Sequence, residues 1–222
     1  MKSSPKGIAL IFHMEKFHGV WKPRDGSEED VRLLKDLFRY LDLEVQVEKN
    51  LSRQQLEDKL KSVTCQDHSS YDCFVMVIMS HGQSGVVVCS DGNMVTVHEL
   101  RDMISKCETL RGKPKLIFIV ACRGKLEDEG ISIEAPKHAD FKIVFSTVDR
   151  YVSYRASGGG SIVVPCFVKA FRKYVASKDL DGILKEFIRE VSSIEVNRDS
   201  KTYVQVPEVI DTFSRHLYFV DA

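Results

Sequence analysis

Two residues in this chain have side chains suited to acyl chemistry, and each stands at the end of an apolar run. Cys122 follows "KLIFIVA", and His81 follows "DCFVMVIMS". A thiol attacks a carbonyl as its thiolate. A nearby imidazole can help form that thiolate and then protonate a leaving amine. Alone, neither residue says much. Cysteine is among the most buried residue types, and a thiol at a strand end is ordinarily packing. Together they say more, because a glycine flanks each: Gly82 after His81, and Gly124 two residues beyond Cys122. These glycines leave room for a substrate backbone. The amides beside them can point at a developing oxyanion.

The remaining elements must bring these two ends together. "GIALIFH" (7–13) reads as a buried strand. A polar loop with Gly19, Pro23 and Gly26 follows. After Ser27, the apolar positions Val31, Leu34, Leu37, Phe38 and Leu41 lie on one helical face, with acids in the first turn. "EVQVEKN" (44–50) alternates like a half-buried strand, and Ser52 caps a second helix. The runs ending at His81 and Cys122 are continuously apolar, as in central strands covered on both faces. "GVVVCSDGNMVTV" (85–97) predicts a hairpin turning at Asp91-Gly92, with a short helix near 98–107.

Further on, "FKIVFST" (141–147) resumes as strand. Pro165 belongs in the first turn of a helix that begins near Val164. Another helix covers about 180–193, and two closing strands fall near 203–206 and 216–220. Alternation of strand and helix predicts an α/β fold, with an open, mostly parallel sheet and helices on both faces. Chemistry in such sheets gathers at the C-terminal strand ends. The Ser157–Ser161 glycine run lacks the lysine and spacing of a phosphate-binding loop.

Composition narrows the function classes. Lys and Arg total 32, as do Asp and Glu, so net charge supplies no attraction to nucleic acid. No apolar run reaches membrane length. The six cysteines form no C-x-x-C pair and no metal-ligand spacing. They predict reduced thiols in a cytoplasmic protein, with neither metal nor cofactor.

"SHG" (80–82) and "ACRG" (121–124) after a strand resemble the caspases. So do "PRDGSEEDVRLLKDLFRYLDLEVQVEKNLSRQQL", "FSTVDRYVSYR" and the closing "RHLYFV", in the family's order from Gly7 onward. The resemblance implies a single caspase-like domain over 1–222: a three-layer sandwich on a sheet of about six strands. It implies a large-subunit part (7–124), a linker (125–140) and a small-subunit part (141–222).

It also implies cleavage of proteins after aspartate, in apoptosis. Cys122 would be the nucleophile, His81 the acid/base, and the amides of Gly82 and Cys122 the oxyanion hole. Arg24 and Arg155 would hold the substrate aspartate; two planar guanidinium forks suit one buried carboxylate. Taken alone, either arginine reads as a solvated surface residue. Ser153 and Arg155 would pair with the substrate backbone as an added strand. His13, His18, His68, His98, His138 and His216 have no partner legible in the sequence, and Trp21 reads as a loop anchor.

Three departures from the family's pattern stand out. Val120 replaces a glutamine that helps donate to the aspartate; losing one donor to a charged acceptor costs about 1.5–3 kcal/mol. Val152 and Tyr154 stand where aromatic pocket residues are usual. The linker offers only Asp128 and Asp140 as processing sites, followed by Glu129 and Phe141 rather than small residues. The family's twofold dimer pairs along its last strand, which implies a homodimer, or a heterodimer with an active caspase. Within that pairing the alternative to an enzyme is a weakly active or inactive regulator.

Overall fold

The computed structural model describes residues 1–124, 139–155, 159–198 and 201–220. In chain order the elements begin with β1 (Gly7–His13), α1 (Glu28–Tyr40), β2 (Leu43–Lys49), α2 (Arg53–Thr64) and β3 (Cys73–Met79). A small antiparallel excursion follows, β4 (Gly82–Gln83), β5 (Val86–Val88) and β6 (Met94–Thr96), leading into α3 (Val97–Ser105) and β7 (Lys115–Val120). The second half holds β8 (Phe141–Phe145), α4 (Val163–Tyr174), α5 (Leu180–Ser192), β9 (Glu195–Arg198), β10 (Lys201–Val204) and β11 (Glu208–Asp211).

Six strands form the main sheet in the order β11-β8-β7-β3-β1-β2. All neighbours are parallel except β11, which runs antiparallel to β8. Period-two alternation sorts the strand side chains into two cores. Val75, Val77, Phe118 and Val120 face α1, α4 and α5. Phe74, Met76, Ile117 and Ile119 face α2 and α3. This double burial explains why β3 and β7 are apolar without interruption. The direction of strand addition reverses between β1 and β3, which opens a crevice at their C-terminal ends.

Local chemistry sets the helix starts. Ser52 and Thr96 each form a reciprocal capping box, with Gln55 and Glu99. At α4 the Ser161 hydroxyl accepts from the Val164 amide (3.1 Å), and Pro165 sits in the first turn, where no amide is required. The hairpin turns at Asp91-Gly92, where Gly92 takes φ +82°.

The closing strands differ from expectation. The strand near 203–206 is β10, paired with β9, which the pattern did not predict. The 216–220 segment forms no strand. Phe219 is buried against Phe171 (5.6 Å between ring centroids), and the Leu217 carbonyl accepts from the Leu180 amide (2.8 Å). His216 lies on Asp179 at 2.6 Å. Phe219 and the partly buried Leu217 thus pack against the core on the α4 and α5 side, while Tyr218 and Val220 stay exposed. β11 occupies the sheet edge instead. All six cysteines are free thiols, and no helix among the described residues is long and apolar enough to cross a membrane.

Candidate active site

β3 and β7 are direct neighbours, in the register Met79↔Val120. The next residues therefore emerge side by side, and the pairing continues with Ser80 N–H donating to the Val120 carbonyl (3.2 Å). Gly82 shows how close the two chain ends come. A Cβ there would lie 2.9 Å from the Cys122 carbonyl oxygen and 2.7 Å from that of Val86, so no larger residue fits. Gly124 has φ +148° and passes close to Arg150; a side chain there would meet the Arg150 Cα at 2.9 Å.

Cys122 is half-buried. Its sulfur accepts from the Ser153 amide (3.5 Å) and donates to the Ser153 carbonyl (3.9 Å). The His81 Nε2 lies 2.7 Å from the Lys22 carbonyl. A carbonyl only accepts, so Nε2 carries the proton and Nδ1 has the free lone pair of the neutral ring. Trp21 stacks on the imidazole (5.3 Å, 25°), and Phe17 packs against it at 4.8 Å. Burial lowers the His81 pKa; the Lys22 hydrogen bond opposes that, while Arg24 and Arg155 add to it. The net lowering favours the neutral ring, the form a base requires.

The two arginines converge. Arg24 is 4% exposed, contrary to the surface residue its loop suggests. Its Nη1 donates to the Met14 carbonyl (3.0 Å). Burial, reinforced by Arg155, lowers its pKa to about 10. Arg155 Nη2 donates to the Arg24 carbonyl (3.1 Å) and to the Asp25 and Gly159 carbonyls. Asp30, in the first turn of α1, is buried beside them and accepts from the Ser161 amide (2.8 Å). Desolvation raises its pKa against the pull of that bond and of both arginines. Val120 is 2% exposed, packs in the α1-side core and offers no polar atom.

Tyr154 lies 6.0 Å from Tyr203 of β10, ring to ring. Asp140 donates its amide to the Thr212 carbonyl (3.2 Å), and its own carbonyl accepts from Lys115 (2.9 Å), so its peptide is bound into the sheet margin. Asp128 lies outside the described residues.

Sequence reasoning missed several contacts. Trp21 and Phe17 read as loop residues, since nothing local signals a distant imidazole. His13 proves to have a partner: its Nε2 lies 2.6 Å from the Ser27 hydroxyl, which donates to the Arg24 carbonyl (2.7 Å). Gln205, 1% exposed, bonds to Ser146, Ser153 and Tyr154. Arg123 is buried against the Phe145 ring (3.9 Å) and paired with Glu208. Its place beside Cys122 in "ACRG" was the one available signal.

A doubly covered, mostly parallel sheet that presents a thiol and an imidazole at adjoining strand ends, with two arginines alongside, defines a class of α/β proteins built around a Cys–His pair. The Caspase domain family model matches residues 6–218. Caspase-14 of Homo sapiens is 30% identical over 90% of this chain and 89% of its own. Caspase-3 of Mesocricetus auratus is 29% identical over 96% of this chain and 83% of its own. The crystal structure of caspase-1 from Spodoptera frugiperda superposes with a TM-score of 0.90 at 31% identity, covering 99% of this chain and 91% of that one. The chain belongs to the caspase family.

Proposed function

We propose that this protein is a cysteine endopeptidase that cleaves protein substrates after aspartate. The observation that carries the reading is the convergence of Arg24 and Arg155, joined through the Arg24 carbonyl, beside the strand ends that bear Cys122 and His81. In this mechanism His81 Nδ1 takes the thiol proton and Cys122 Sγ attacks the carbonyl carbon. The amides of Gly82 and Cys122 receive the oxyanion. His81 then protonates the leaving amine, and water hydrolyses the thioester. The arginines bind the aspartate carboxylate, while Ser153 and Arg155 pair with the peptide backbone and Tyr154 walls the neighbouring subsite. A substrate without the carboxylate would leave two guanidinium groups unmatched, a penalty able to discriminate by ~10⁴-fold.

The same reading takes 7–124 and 141–222 as large- and small-subunit parts joined by 125–140, with Asp128 or Asp140 as processing sites. Cleavage after Asp140 first requires its two backbone hydrogen bonds to open. It also takes the protein as cytoplasmic, acting in apoptosis, and dimeric with itself or with another caspase.

Hydrolysis of fluorogenic peptides ending in Asp, with Cys122→Ala as control, tests the enzyme. Val120 favours the second reading, a regulator that pairs with an active caspase, because a buried valine gives the aspartate no donor. Turnover lost in Cys122→Ala supports the enzyme. No such turnover, even in enforced dimers, leaves the regulator. In the first case Val120→Gln should raise kcat/KM about tenfold by adding a donor to the carboxylate.

A further inference from the structure

Residues 151–155 lie in no helix or ladder; only Arg155 makes an isolated bridge, to Ser161. Yet Ser153 touches the Cys122 sulfur through both its amide and its carbonyl, and Arg155 reaches the Arg24 carbonyl. A segment without regular structure therefore meets the thiol at one residue and the arginine pair two residues later. Something must hold it in register.

Gln205 lies between β10 and β11 and is 1% exposed. Its Nε2 donates to the Ser146 carbonyl at the end of β8 (2.6 Å) and to the Ser153 hydroxyl (3.1 Å). Its Oε1 accepts from the Tyr154 amide (2.7 Å). The Ser146 carbonyl can only accept and the Tyr154 amide can only donate, so the carboxamide has one permitted orientation. Glutamate would keep the acceptor and lose the donors; methionine would keep the volume and lose both. Backbone bonds also tie this stretch: Arg123 N–H to the Tyr151 carbonyl (3.0 Å), Tyr151 N–H to the Val148 carbonyl (3.3 Å) and Ile162 N–H to the Tyr154 carbonyl (3.4 Å).

We propose that Gln205 is a positioning residue that fixes Ser153–Arg155 to the central sheet, and so sets the peptide-binding segment over Cys122. Its consequence for catalysis rests on the endopeptidase reading. A peptide paired with this segment gains the same contacts in ground and transition states, so their loss falls on KM rather than kcat.

Peptide kinetics and amide hydrogen exchange on the full-length chain test this together. Gln205→Met should raise KM on the order of tenfold with a smaller change in kcat, and should strip protection from the Tyr154 amide. The amides of β3 and β7 should stay protected. Gln205→Glu adds a readout that a merely structural role would not move. Its carboxylate repels the Ser146 carbonyl at neutral pH, whereas the protonated acid donates there and still accepts from Tyr154. The ratio of variant to wild-type KM should therefore fall as pH is lowered, and this arm remains informative if Gln205→Met folds poorly.

A Gln205→Met KM within about twofold of wild type, or a Gln205→Glu ratio independent of pH, overturns the catalytic role. Unchanged Tyr154 protection in Gln205→Met overturns the positioning itself. Wild-type protein without Cys122-dependent turnover defeats the endopeptidase reading instead, and exchange at Tyr154 then decides the positioning alone.

Discussion

At the scale of single residues, buried polar groups hold the arginine pair. His13 is fully buried at the end of β1 and reaches Arg24 through the Ser27 hydroxyl. That hydroxyl spends its proton on the Arg24 carbonyl, so His13 Nε2 must donate to it. Its Nδ1 is left buried without a hydrogen bond, 4.0 Å from Glu28. Burial lowers the His13 pKa from 6.5 to about 4; Glu28 opposes, while Arg24, Lys49 and Arg155 assist. The sign of the effect on stability follows. As pH falls the unfolded chain takes the proton first, so stability present above 6.5 is lost toward 4 and falls no further below it. The loss from this residue is of the order of 3 kcal/mol. His13→Asn keeps a donor for Ser27 and cannot titrate. Urea midpoints across that pH window should therefore fall less steeply in His13→Asn than in wild type. Parallel curves would show that His13 does not stay neutral in the fold.

At the scale of elements, the Arg123 side chain joins β11 to the end of β7. Arg123 directly follows Cys122, its guanidinium is buried, and Glu208 at the start of β11 pairs with it. Asp149 stands 3.5 Å away, and Ser84 donates to Asp149 at 2.5 Å. The His81–Ser84 stretch, the end of β7 and the sheet edge thus share one charge network. Removing a single partner from a buried cation leaves an uncompensated charge. Glu208→Ala should cost about 2 kcal/mol, and Glu208→Gln, which keeps an acceptor, less than half of that. Chemical denaturation of the three proteins measures both. Equal stability would mean that Asp149 alone satisfies Arg123.

At the scale of the whole molecule, the sheet among the described residues ends at β11, bonded to β8 along one side. An open antiparallel edge invites pairing with a second copy about a twofold axis. Sedimentation at rising concentration should show a dimer, and proline within Val209–Ile210 should weaken it by removing an edge donor. A strict monomer at high concentration would refute the pairing.

Much of this architecture was legible along the chain. Continuous apolar runs identified the two central strands, helical periodicity identified α1, and the residues ending the strands identified Cys122 and His81. These signals are local, because burial on both faces and the periods of helix and strand act on consecutive residues. The closing segment was misread for the same reason: "HLYFV" has a strand's composition, but only packing decides that Phe219 inserts beside Phe171 while the less apolar Glu208–Asp211 takes the edge. Sequence by itself determined the main strand–helix order as far as α5, the family and the residue types at the strand ends. Tertiary structure alone decided that Trp21 stacks on His81, that Arg24 is buried against Arg155, and that His13 and Gln205 hold the segments between. Each of these contacts joins positions distant in the chain, and a hydrogen bond or ring contact leaves no periodic trace in either partner.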